Sequence, residues 1–192
     1  MTPSTELVAH VRASAWLMAV LAAVRSADLP DAWVGAGVLR DLVWGERYGT
    51  GFDPDGVRDV DVAFFDPADL SRDRDRAATA RLAAQLPAVP WEATNQAAVH
   101  TWYPAHFAGD PIAPLRSTRD GIATWPETAT SVAVRLEPDD TVAVCAPHGL
   151  TDLLGGVWRR NPTQVSLARS RERLARHAPA TRWPGVRVIE PT

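Results

Sequence analysis

The chain contains no lysine: all twenty of its basic residues are arginine. It therefore has no P-loop lysine to hold phosphate, no Schiff-base lysine and no carbamylated lysine. Alanine is abundant as well, so the arginine excess fits biased codon usage and carries no functional meaning by itself. Cysteine is scarce. The lone Cys145 excludes an internal disulfide and a multi-cysteine zinc site, which fits a reducing cytoplasm. Long apolar runs are missing too. The N-terminal stretch is interrupted by His10, Arg12 and Ser14 and follows no basic segment, so neither a signal peptide nor a membrane span is expected. Internal repeats and low-complexity segments are absent. Excess positive charge is absent as well. At a net charge of −3 the chain has no global attraction to nucleic acid, so a polynucleotide partner is not favoured.

What is present is the composition of a soluble globular protein, 46% hydrophobic and 22% charged over 192 residues. That length suits one domain burying roughly 70% of its unfolded surface. We read residues 1–192 as one unit, with a core over about 15–145 and a helical elaboration over about 146–192.

The most informative stretch runs from Trp33 to Asp66. A short apolar entry, Trp33-Val34, meets Gly35-Ala36-Gly37 and passes at once into a helical segment, Val38 to Trp44. Strand, glycines and helix start form an arrangement that receives phosphate: backbone NH groups approach an anion closely, and the helix presents its positive end. The plain alternative is that Gly35 and Gly37 serve a tight turn. After a glycine-rich excursion comes the alternating strand Asp59 to Phe65, on which Asp59 and Asp61 share a face, about 7 Å apart along the chain. Two such carboxylates repel unless a cation or proton sits between them, and hard oxygen ligands at this spacing suit Mg²⁺ or Mn²⁺. Arg40 and Asp41, adjacent on the first helical turn, face different directions. Arg40 either contacts phosphate or pairs with Asp59 or Asp61, and Asp41 favours the positive helix end.

Elsewhere, the apolar spacing predicts one amphipathic helix over 5–26, a mobile loop from Gly45 to Val57, a helix over 71–86, a short strand at 91–94 and a helix over 95–107. Residues 108–128 read as a long loop or short helix. A hairpin follows over 130–136 and 141–146, then helices over 148–158 and 166–177 and an edge strand at 186–189. Among the tryptophans, Trp91, Trp102, Trp125, Trp158 and Trp183 are core or stack on a base. Arg159, Arg160, Arg169, Arg171, Arg173 and Arg176 form a basic helix face, either solvated with Glu172 pairing locally or holding an acceptor phosphate or RNA. His148 sits in a plain turn, Pro147-His148-Gly149.

GAGVLRD followed by DVDVA resembles the GGxVRD and DxD signature of the DNA polymerase beta-like nucleotidyltransferase superfamily, in the form seen in head domains of CCA-adding enzymes and poly(A) polymerases. With the RD pairs aligned, Gly37 and Ala36 take the two glycine places and Gly35 lies one place early. WEATNQAAVHTWY and APHGLTDLL extend the likeness to bacterial nucleotidyltransferase family proteins over most of the chain. The resemblance implies an α/β fold, a small mixed sheet flanked by helices, and transfer of a nucleoside monophosphate from an NTP such as ATP. It also implies a third acid on a later strand, for which Glu92 is the candidate, Asp66 and Asp69 being alternatives. Asn95, Gln96 and His100 lie on one predicted helix as a polar ridge toward the nucleotide or acceptor, the alternative for His100 being a hydrogen-bonded structural group. The neck, body and tail helices of tRNA-adding enzymes have no counterpart of that length, which points to a small-molecule or protein acceptor. A catalytically silent nucleotide- or partner-binding module, including a toxin-antitoxin component, is the competing expectation.

Overall fold

A computed structural model describes residues 2–107 and 112–192 of the chain. The N-terminal apolar pattern forms two helices rather than one, α1 (Pro3–Ala13) and α2 (Ala15–Ser26), bent by 96°. Ser14 breaks them: its backbone is extended, and its Oγ accepts from Leu17 N at 3.2 Å to cap α2. Apolar spacing survives such a break, which is why the sequence reads as one helix. Among the described residues no single helix is long and apolar enough to cross a membrane.

Strand β1 (Trp33–Gly35) leads through Ala36 into α3 (Gly37–Tyr48). The helix continues through the expected loop start, so Gly45 is helical and buried; the loop begins at Gly49 and folds back, Gly51 N donating to Gly45 O at 2.9 Å. Next come β2 (Val60–Phe64), α4 (Arg72–Gln85) capped by Ser71, β3 (Trp91–Asn95), a 3₁₀ turn at Gln96–Ala98 and α5 (Val99–Phe107). Residues 108–111, part of the expected loop, lie outside the described residues, and α6 (Thr118–Ala123) follows. The hairpin forms as β4 (Ala133–Leu136) and β5 (Val142–Cys145). Where one helix was expected over 148–158 there is a single turn, α7 (Thr151–Leu154), and a strand, β6 (Val157–Trp158). The chain then runs through α8 (Leu167–His177), α9 (Pro179–Arg182) and β7 (Arg187–Val188); β7 pairs with β6, not with the main sheet.

The main sheet has the order β3-β2-β1-β4-β5, with β2 and β3 parallel and the other neighbours antiparallel. Strand alternation divides its faces. Val34, Val60, Val62, Phe64, Ala93 and Val134 belong to the main core, which includes apolar residues of α1 to α4. Each such valine or phenylalanine removed from water stabilises by roughly 1.5–3 kcal/mol. On the other face, Ile122 of α6 packs with Ala133 and Cys145, and Trp33 and Trp125 lean against them. That second layer covers only part of its face and leaves a hollow above β2 and β3.

Candidate active site

Register places the acidic residues. Asp61 pairs with Gly35 on one side and Glu92 on the other, so Asp61 and Glu92 share the face opposite the main core. Asp59, just ahead of β2, joins them, and all three line a cavity of about 330 Å³. Ala36, Gly37 and Arg40 form the adjoining wall. A Cβ built on Gly37 would lie 3.5 Å from Arg40 Nη2 and 3.7 Å from Asp59 Oδ1. Packing against protein therefore does not require glycine there, and the space kept open is cavity. Ala36, the turn residue, adopts φ 58° and ψ −124°, a region more comfortable for glycine.

Clustered carboxylates perturb one another. Burial, then the charges of Asp59 and Glu92, raise the Asp61 carboxyl to about 7, with Arg173 and Arg40 pulling the other way. Glu92 is raised by desolvation and by Asp59, and Arg72 opposes the shift. As placed, no group of three or more His, Cys, Asp or Glu side chains among the described residues could hold a metal ion.

The cations come from two helices. Arg40 is buried and does not pair with Asp59 or Asp61, as one reading expected. Its Nε and Nη2 donate to Asp41 Oδ1 at 2.8 and 2.6 Å, and its guanidinium lies 5.9 and 5.3 Å from the Trp158 and Trp183 ring centres. Neighbours at i and i+1 meet here because the arginine side chain folds back over the helix start. Asp41 Oδ2 also accepts from Arg182 at 2.9 Å. The second source is α8, whose Arg169, Arg173, Arg176 and His177 all line the cavity. Arg169 does pair with Glu172, at 2.7 Å, but this face is a wall of the cavity rather than a wholly solvated surface. The signal was the i, i+4, i+7 spacing of the three arginines. His177, its ring tilted against Trp158 with centres 5.4 Å apart, is held down to about 3 by burial and then by Arg40, Arg173 and Arg176, so its imidazole is neutral at pH 7.

Gln96 reaches the cavity, its Nε2 donating to Thr94 O at 3.1 Å, and Trp102, Tyr103 and Trp125 border it. Trp91, Trp158 and Trp183 are core. Asn95, expected beside the nucleotide, lies elsewhere. Strand β3 extends to Asn95 and its alternation sends that side chain to the opposite face, fully buried. There Nδ2 donates to Asp66 O and Asp69 O, both at 2.8 Å, and Oδ1 accepts from Asp66 N at 2.9 Å, which latches the loop after β2. Asp66 and Asp69 do not reach the cavity either: Asp66 pairs with Arg74 at 2.7 Å and Asp69 accepts from Ser71 N at 2.9 Å. Gly35, expected to admit phosphate, is a packed strand residue beneath Trp125. A Cβ there would lie 2.4 Å from Val132 O and 2.8 Å from both Ala133 Cβ and Trp125. His100 does not line the cavity. His148 is structural, its Nε2 2.8 Å from Ala123 O.

A known structure shares this architecture. A solved NMR structure described as revealing a CCA-adding enzyme head domain is similar over 97% of this chain and 95% of its own, at 28% identity and a TM-score of 0.78. A second structure, a tRNA-processing enzyme in an apo form, aligns with 82% of this chain and 40% of its own at 15% identity and a TM-score of 0.45. No curated protein matches the chain. The sequence model of a nucleotidyltransferase family spans residues 22–188, which takes in the glycine turn, the acidic strands and the arginine helix, and the chain thus belongs to the nucleotidyltransferase family.

Proposed function

We propose that the protein moves a nucleoside monophosphate from an NTP, with ATP the first to test, to a small-molecule or protein acceptor, and that the reaction depends on Mg²⁺ or Mn²⁺. The observation that carries this reading is the meeting in one cavity of Asp59, Asp61 and Glu92, the open side of Gly37, and the arginines of α3 and α8. The acids fit a divalent cation: they are hard oxygen donors, and their mutual repulsion, felt most by Asp61, is relieved by positive charge between them. Divalent ions held there would supply Lewis-acid neutralisation of the triphosphate and a lowered pKa for the attacking hydroxyl. The chain's own residues do the rest. The first NH groups of α3 and the Gly37 space receive phosphate oxygens, and Arg40, Arg173 and Arg176 balance the remaining charge. Trp102, Tyr103, Trp125 and Gln96 border the part of the cavity left for a base or acceptor. The net charge of −3 supports an acceptor other than a polynucleotide.

Heating with ATP tests the reading. With Mg²⁺ present, ATP at a hundred times its dissociation constant stabilises by about 2.7 kcal/mol. That is a rise of roughly 5–10 °C for a chain of this size. The rise is expected in the wild type and not in Asp59→Ala/Asp61→Ala. Equal protection of the variant would contradict the site. Protection without pyrophosphate release across an acceptor screen would replace transfer with a nucleotide-binding module.

A further inference from the structure

Glu127 lies in the connection from α6 to β4, fully buried and outside the cavity lining. Two donors from one guanidinium meet it: Arg173 Nε to Oε1 at 2.7 Å and Arg173 Nη2 to Oε2 at 2.9 Å. Thr130 Oγ1 donates to Oε2 at 3.2 Å, and the Glu127 carbonyl accepts from Thr130 N at 3.1 Å and Ser131 N at 2.9 Å, so the carboxylate is itself held fast. Arg173 spans the boundary. It reaches inward to Glu127, lines the cavity, and acts on the charges of Asp59 and Asp61.

Burying such a pair is a poor way to gain stability, because desolvating two charges offsets most of their attraction. A two-point fork does something else: it fixes the plane of the guanidinium and removes the rotamer freedom that a ligand would otherwise have to freeze. Arg40 is also backed by a buried carboxylate, but by one oxygen: its Nε and Nη2 both donate to Asp41 Oδ1. Arg40 and Arg173 both line the cavity that holds the carboxylate cluster.

We propose that Glu127 is a positioning residue for nucleotide binding, holding Arg173 so that its guanidinium meets the phosphate chain of the NTP beside Asp61. The proposal rests on the nucleotide reading above. Binding of ATP and of inorganic tripolyphosphate, each with Mg²⁺, is measured by calorimetry for wild type, Glu127→Gln, Arg173→Gln and the double variant, at a temperature where all are folded. Glu127→Gln keeps the side-chain volume and is expected to weaken both ligands by about tenfold. The double variant is expected to bind no more weakly than Arg173→Gln alone, because the two act through one guanidinium. A purely structural Glu127 would lower the melting temperature without changing the tripolyphosphate affinity. If Glu127→Gln does not fold, Arg173→Lys carries the test, since an ammonium cannot make the fork. Wild-type affinity in Glu127→Gln, or in Arg173→Lys, overturns the positioning role alone. Failure of the wild type to bind either ligand overturns the nucleotide reading with it.

Discussion

Asp61→Asn is expected to make the protein more stable while abolishing nucleotidyl transfer. Asp61 ionises only near pH 7 because burial, Asp59 and Glu92 all oppose its charge, whereas in the unfolded chain it ionises near 3.8. Between those values the native state binds a proton that the unfolded state does not, so the wild type loses stability as pH rises from about 4 to 7. Above pH 7 the whole penalty is present, and asparagine removes it. With solvent screening the gain is about 1–2 kcal/mol, or roughly 3–6 °C in melting temperature at pH 8. It shrinks steadily as the pH falls from 7 toward 4. Activity moves the other way, by about a thousandfold or more, since the variant lacks a charged oxygen where the transition state needs it. Melting curves at pH 5 and pH 8 check the first half and pyrophosphate release the second. A variant destabilised at pH 8 would show that Asp61 is not strained by its neighbours.

The two glycines of the turn are expected to behave as opposites. Gly35→Ala puts a Cβ 2.4 Å from Val132 O, 2.8 Å from Ala133 Cβ and 2.8 Å from Trp125, and two of these neighbours belong to β4 and its lead-in, which cannot give way without breaking the strand pairing. Overpacking of this kind costs about 3 kcal/mol or more, a large share of a typical domain's stability. Loss of soluble protein, or a fall of about 6–12 °C in melting temperature, is the expected outcome. Gly37→Ala meets nothing closer than 3.5 Å and begins a helix, so the fold is kept or gains a few tenths of a kcal/mol. Its methyl group stands in the cavity between Arg40 and Asp59, and protection by ATP with Mg²⁺ is expected to fall by about tenfold in affinity or more. Melting curves with and without ATP separate the two. A stable Gly35→Ala would mean that the sheet has slack there, and unimpaired ATP binding by Gly37→Ala would move the phosphates elsewhere.

These residues also mark where reading from the sequence stops. Period-two alternation suffices to put Asp59 and Asp61 on one face, and the glycine turn ahead of a helix is legible from composition and order. Which glycine packs and which opens on the cavity depends on β4 crossing β1, a pairing made from residues about a hundred positions away. Asn95 depends on one residue of strand length: a helix beginning at 95 turns it toward the site, a strand ending at 95 turns it into the core. The arginines of α8 had a helical period and an adjacent acid, which describes a solvated face equally well. Only the tertiary placement of α8 across from β2 makes them the cavity's positive wall, and nothing local singles out Glu127, whose partner lies 46 residues away.

The most direct measurement is a crystal structure with Mn²⁺ and a nonhydrolysable ATP analogue, using the anomalous signal of manganese to fix the metal. Manganese is expected on Asp59 and Asp61, with the triphosphate running past Gly37 toward Arg173. Manganese away from both aspartates, or a triphosphate outside the cavity they share with Gly37, would contradict the proposed site.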